Sequence, residues 1–217
     1  MSQSPLELTA SPAPVVALIG PVGAGKSVVL GFLAELGAAV INFDDYSRDL
    51  LQPGTPETEA VARELGARFL RADGTVDRPA LGALVFADDE ARARLEAIMH
   101  PPMLARLRAA VAEFRRQPAA PLLAVEGALL GRLAAGLFDA MVVVDAPTPV
   151  RGQRLEQTRG LSREAVIPLL ALHERLATGS GWADFTLVNE GSPADLRAET
   201  GKLWQNLTGL PPVWNQP

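Results

Sequence analysis

Gly20, Gly25, Lys26 and Ser27 stand at the spacing G-x-x-x-x-G-K-S. That spacing puts three chemical devices into one short loop. Glycines let a backbone turn so tightly that successive N–H groups point inward, toward the oxygens of a phosphate. A lysine here sets its ammonium against β- and γ-phosphates, and a serine hydroxyl beside it offers an oxygen to Mg²⁺. A helix starting after the glycines adds its positive N-terminal end. The loop therefore reads as a site for a nucleoside triphosphate, with ATP taken as the donor. Gly20, Val22, Gly23, Ala24, Gly25, Lys26, Ser27 and Val28 are its expected lining. Whether the γ-phosphate goes to water, to a protein or to a small molecule depends on residues elsewhere.

Asp44 and Asp45, in "VINFDDYSR", follow a second short apolar run. A carboxylate there could orient and deprotonate an acceptor hydroxyl. One of the two could equally cap the helix that begins at that point. Glu126 ends "LLAVE", where an acid can join the Mg²⁺ shell or simply meet solvent. Asp145 ends "MVVVD" and reads as a turn residue before "APTP". Arg151, Arg154, Arg159 and Arg163 could neutralise charge on a transferring phosphoryl group. A solvated helix face accounts for most of them as well. His100, ahead of two prolines, reads on its own as a turn or packing residue, and His173 with Glu174 is too little for a metal site.

Chemistry of this kind needs a frame that positions it. Val15 to Ile19 is a short apolar run of buried-strand type, and Ser27 to Leu36 a helix stopped by Gly37. "AAVIN" is a second strand, and "FDDYSRDLL" a helix broken by "QPGTP". From about Glu57 to Gln117 strand-like runs vanish and the pattern is helical, with "ADGTVDRP" as a turn and "HPP" at His100 to Pro102 as a break. "PLLAVE", "AMVVVDAP" and "DFTLVNEGS" supply three more strands, while Val150 to Thr178 and Pro193 to Leu207 are helical. Strands alternating with helices imply a parallel sheet covered on both faces.

Composition narrows the classes of function. The chain has 217 residues, enough for one sizeable core with inserted subdomains. A net charge of −5 and 5% aromatic residues argue against a nucleic-acid surface. The absence of cysteine excludes disulfides, thiolate catalysis and cysteine-bound zinc, and fits a reducing compartment. "MSQSPLELTASPAP" has neither the basic start nor the apolar core of a signal peptide, and no apolar run reaches membrane-spanning length. A cytoplasmic monomer without nucleic-acid or membrane partners is expected.

The succession of landmarks resembles the dephospho-CoA kinase family, from Val15 to about Leu207. "GPVGAGKS" is followed by "LGAAVINFDDYSRDLLQPGTP", similar to the family's Asp-x-Asp strand end, helix arginine and Pro-Gly turn. "LRADGTVDRPALGALVFAD" and "LEAIMHP" resemble its helical CoA-side insertion. "VVVDAP", "RL…GLSRE" and "ADFTLVNEGS" resemble its fourth strand, lid and adenine-side loop. The resemblance implies ATP-dependent phosphorylation of the ribose 3′-hydroxyl of dephospho-CoA, with Mg²⁺. It implies that Asp44 acts as the base toward that hydroxyl, with Lys26 on the phosphates. Arg48, His100 and Pro101 would bind dephospho-CoA, Asn189 and Gly191 would line the adenine, and Arg154 and Arg159 would reach the phosphates from the lid. The expected architecture is α/β, a P-loop kinase-like five-stranded parallel sheet with helices on both faces. Its expected parts are a loose segment 1–14, a nucleotide-binding core of 15–56, 118–150 and 183–207, a helical acceptor-side insertion 57–117, a lid 151–182 and a tail 208–217.

The chain departs from the family's pattern at several points. Asn42 stands where the first aspartate is expected, Arg132 replaces a glutamate, and Glu126 stands where the family usually has aspartate. The lid's Arg-Asp pair appears as Thr158-Arg159, and "HERLATGSGWAD" replaces a glutamine and arginines that Arg159 and Arg175 would have to supply. Two other readings stay open on this ground: a P-loop kinase for another small hydroxyl acceptor, and a non-catalytic nucleotide-binding relative.

Overall fold

The computed structural model describes residues 13–176 and 183–214, with the backbone alone at 159 and 173–176. Two compact units emerge, one of 1–41 with 111–217 and one of 42–110.

The first unit is built on the strands β1 (Val15–Ile19), β2 (Ala39–Asn42), β3 (Leu123–Glu126), β4 (Ala140–Asp145) and β5 (Phe185–Val188). They form one five-stranded sheet of order β2-β3-β1-β4-β5. β1 runs parallel to β3 and to β4, and β4 parallel to β5. All five residues of β1 are buried, so the first apolar run of the sequence is the central strand. Alternate residues serve two faces. Val16, Leu18, Ala124, Val142 and Val144 join one cluster with Val29 and Leu33 of α1 (Lys26–Glu35) and Leu203 and Trp204 of α9 (Pro193–Thr208). Ala17, Val125 and Val143 of the opposite face are buried as well. Strands covered on both sides have to be apolar throughout, which is why β1, β3 and β4 read as unbroken runs, while the edge strands β2 and β5 leave Val40 and Val188 exposed.

From β1 the chain crosses to β2, beyond β3 on one side, and from β3 it crosses back to β4 on the other. The crevice at the carboxyl end of β1 lies at this reversal of strand order, where sheets of this type bind ligands. The loop at residues 20–25 sits there. The helical stretch expected from Val150 holds two helices among the described residues: α7 (Thr148–Arg159) ends at Gly160, left-handed at φ 62°, and α8 (Arg163–Leu176) follows. Leu155, Val166 and Leu170 join these two helices in a small apolar cluster. Beyond α9 the chain turns back on itself. The Trp214 ring meets Phe32 of α1 edge-on at 6.0 Å, and the Arg197 guanidinium lies 4.3 Å from the Trp214 ring.

The second unit contains α2 (Phe43–Leu50), α3 (Pro56–Glu64), α4 (Arg78–Ala87) and most of α5 (Asp89–Arg116). Val61, Phe69, Val76 and Leu81 form its core, with Leu95 and Ile98 packed against them. The expected break at His100 to Pro102 is absent, because α5 runs through both prolines. Proline costs a helix its hydrogen bond and a clash, but its fixed φ is already helical. Met99, Met103, Leu107, Val111 and Phe114 keep one stripe buried across the prolines, and that burial holds the helix together.

Candidate active site

The loop leaves β1 directly. Gly20 has φ 135°, and a Cβ there would lie 2.0 Å from the Val144 carbonyl oxygen of β4. Neither the backbone conformation nor the space admits another residue. Val22 packs its side chain with Leu155, Val166 and Leu170, so the loop is pinned to α7 and α8. Gly23 lies against the α7 backbone at Arg151. Ala24 is buried, while Val28 on the first turn of α1 is exposed. Gly25 caps α1 at φ 104°, and a Cβ on it would come within 2.3 Å of the Asn189 Nδ2.

α1 therefore starts from a residue without a side chain, and its first turn carries no acid. Its leading N–H groups are not neutralised by the helix's own side chains, the condition in which a helix N-terminus favours an anion. The Lys26 Nζ donates to the carbonyl oxygens of Gly20 and Pro21, both at 3.0 Å, so the ammonium lies along the rim of the loop. The Ser27 Oγ donates to the Glu126 Oε1 at 3.0 Å. The register of β1 on β3 sets Leu18 opposite Glu126, and the Gly127 N–H closes onto the Leu18 carbonyl. This pairing brings the buried Glu126 carboxylate to the loop. It is not the solvated strand end that the sequence also allowed.

Asn189, just past β5, is 5% exposed. Its N–H donates to the Asp145 carbonyl at 2.7 Å and its Nδ2 to the Ala24 carbonyl at 2.8 Å. Its Oδ1 accepts from the Arg154 Nη2 at 3.1 Å. Asp145 is the turn residue anticipated for it, with Oδ1 accepting from the Ala146 N–H. Arg151 is not on a solvated face: it is buried, and it donates to the Ala146 carbonyl and to the Thr148 hydroxyl. Arg163 is exposed. The side chains of Arg159, His173, Glu174 and Arg175 lie outside the described residues. Gly191 lies against Asp195, which forms a capping box with Ser192 at the start of α9. The Ser192 hydroxyl, and then its N–H, hold the Asp195 carboxyl below the usual carboxylate range.

In the second unit, α2 carries Asp44, Asp45 and Arg48. Neither aspartate caps this helix. The Asn42 Oδ1 accepts from the Asp44 N–H at 3.0 Å, because a cap acceptor must come from the residue just outside the first turn. Asp45 pairs with Arg48 one turn on. Asp44 is exposed, and among the described residues no hydrogen bond or ion pair is recorded at its carboxylate. Burial raises the Tyr46 phenol above its ordinary range, with Arg106 opposing and Asp49 adding. Arg78, at the start of α4, donates to the Ser47 carbonyl at 2.9 Å. Burial, and then the nearby Arg48, lower its pKa. His100 is half-buried inside α5, with Pro101 exposed beside it.

The sequence profile of the dephospho-CoA kinase family matches residues 14–195. The chain belongs to the dephospho-CoA kinase family. A dephospho-CoA kinase of Frankia casuarinae is 40% identical over 192 residues, covering 88% of this chain and 82% of that one. The crystal structure of TT1252 from Thermus thermophilus is 31% identical, with a TM-score of 0.69 over 89% of this chain and 97% of that one. The dephospho-CoA kinase from Campylobacter jejuni, 24% identical, has the same fold at a TM-score of 0.59 over 93% of this chain and all of that one.

Sequence reasoning did not find the bonds of Asn189 to the loop and to Arg154, and no local signal could have supplied them. The Asn42 cap had a signal: an amide just before a helix whose third residue is acidic.

Proposed function

We propose that this chain transfers the γ-phosphoryl group of ATP to the ribose 3′-hydroxyl of dephospho-CoA, giving coenzyme A and ADP. The reading is carried by the glycine loop at the end of β1, with Lys26 on its rim and Ser27 bonded to Glu126, in a member of this family. A new bond forms between the 3′-oxygen and the γ-phosphorus, and the bond to the β,γ-bridging oxygen breaks. Asp44 takes the proton of the 3′-hydroxyl. Its exposed carboxylate at the start of α2 is suited to that task, since Asn42 does the capping. Lys26 and the loop N–H groups offset the charge that builds on the phosphates.

Mg²⁺ suits the oxygens available. Ser27 and Glu126 offer a hydroxyl and a carboxylate side by side, and this ion prefers oxygen ligands from protein and phosphate together. Among the described residues no group of three acidic or histidine side chains could hold a metal without that help. The ion would neutralise charge between β- and γ-phosphates. On the acceptor side, in the segment 57–117 and on α2, Arg48, His100 and Pro101 bind dephospho-CoA. In the lid, 151–182, Arg154 serves the phosphates, a role the family resemblance also gives to Arg159, and Asn189 and Gly191 border the adenine.

The test is to incubate the pure protein with Mg-ATP and dephospho-CoA and to look for coenzyme A by mass spectrometry. Coenzyme A formed by the wild type and not by Lys26→Ala supports the reading. ATP bound without coenzyme A formed would overturn it, and would point to another hydroxyl acceptor or to a binding protein.

A further inference from the structure

We infer that Asn189 is a positioning residue, one that sets the shape of the phosphate loop and the orientation of Arg154 through a single carboxamide. The inference deepens the proposed nucleotide site and rests on it. A carbonyl can only accept and a guanidinium can only donate. The Ala24 carbonyl therefore fixes which end of the carboxamide is Nδ2, and Arg154 fixes which end is Oδ1. The two contacts demand the same orientation, so each reinforces the other. The backbone of Asn189 is tied to the end of β4 through Asp145, and the side chain is buried. The amide thus stands on the sheet and not on the loop that it shapes.

Two further observations give the contact its direction. Gly25 approaches so closely that any Cβ would strike the Asn189 Nδ2, so the loop is fitted to this amide. Arg154, held by its Nη2, has a buried Nη1 with no hydrogen-bond partner among the described residues. A buried guanidinium N–H left unpaired is costly, and an anionic ligand oxygen would satisfy it. Asn189 holds the guanidinium so that this second nitrogen is available to a phosphate oxygen of the nucleotide.

The experiment compares wild type, Asn189→Ala, Asn189→Asp, Arg154→Ala and the Asn189→Ala/Arg154→Ala double variant. It reads ADP affinity by calorimetric titration, and kcat and KM for ATP by coenzyme A formation. Asn189→Asp has the same shape and keeps an acceptor for Arg154, but sets a carboxylate oxygen against the Ala24 carbonyl. It should weaken ADP binding about tenfold while keeping most of kcat. Asn189→Ala should lose both affinity and kcat. The double variant should have a kcat within about twofold of Arg154→Ala, because one removes the support of the other. If both Asn189 variants bind ADP and turn over as wild type does, or if the kcat losses multiply independently, the inference is overturned. A role in stability alone would lower the melting temperature and leave kcat and KM of the folded protein unchanged. If wild type itself does not bind ADP, the nucleotide-site reading is what has failed. If wild type binds ADP and the variants bind it equally, only the inference about Asn189 has failed.

Discussion

Around the phosphate loop the partners come from far along the chain: Val144 beside Gly20, Glu126 on Ser27, Asn189 beside Gly25. On α2 most are neighbours in sequence: Asn42 with Asp44, Asp45 with Arg48, and the Ser47 hydroxyl on the Asp44 carbonyl, with Arg78 and Arg106 reaching in from farther along. The loop contacts are buried or partly buried and the α2 contacts exposed. A surface fixed from several directions is already in place when charge develops, and it loses nothing to reorganisation. A helix held by its own first turn and by exposed ion pairs is cheaper to change, since exposed pairs contribute little. The departures from the family's pattern touch both regions. The glycines, Lys26 and Ser27 are intact, while Glu126 is altered beside the loop and Asn42 on the helix side.

The comparison can be broken most sharply at Lys26. Lys26→Ala should lower turnover by about two to three orders of magnitude and weaken ADP binding, both measured on the purified variant. Asp44→Asn should lower turnover about a hundredfold with ADP affinity unchanged. Wild-type turnover in that variant would exclude Asp44 as the base. Glu126→Gln should raise the Mg²⁺ concentration for half-maximal rate by about tenfold, and Glu126→Asp should recover part of it. An unchanged Mg²⁺ dependence would remove Glu126 from the metal's surroundings. Arg48→Ala should raise KM for dephospho-CoA about tenfold and leave KM for ATP alone. The smallest effect belongs to the cap. Asn42→Ala should cost about 1 kcal/mol in urea unfolding, whereas Asn42→Asp should be nearly neutral, because both amide and carboxylate accept the Asp44 N–H.

Asn42, where the family resemblance leads one to expect an aspartate, caps α2 with its side-chain oxygen. The position needs an oxygen for a helix cap, and an amide provides one. Strands and loop were legible because their signals are local: short apolar runs and, after the first of them, the closely spaced glycines. Local rules failed where burial overrode them. His100 to Pro102 looked like a break, yet the buried stripe from Met99 to Phe114 carries α5 through it. Arg151 looked like one of several surface arginines, yet it is enclosed by its bonds to Ala146 and Thr148. Asn189 was legible only as part of a family loop. Its bonds to Ala24 and Arg154 depend on which strands lie side by side, and nothing near residue 189 encodes that.

The bond from Asn189 to Ala24 spans 165 positions. A ribosome makes the glycine loop well before the amide that shapes it, with 165 positions between them. β4, against which Gly20 fits, also arrives late. Until Asn189 has been added, the emerging chain carries the residues of a nucleotide site without the site. Bound nucleotide can therefore stabilise the finished protein but cannot help its early stages fold. The burden of protecting the exposed strand β1 until then falls on whatever receives the nascent chain.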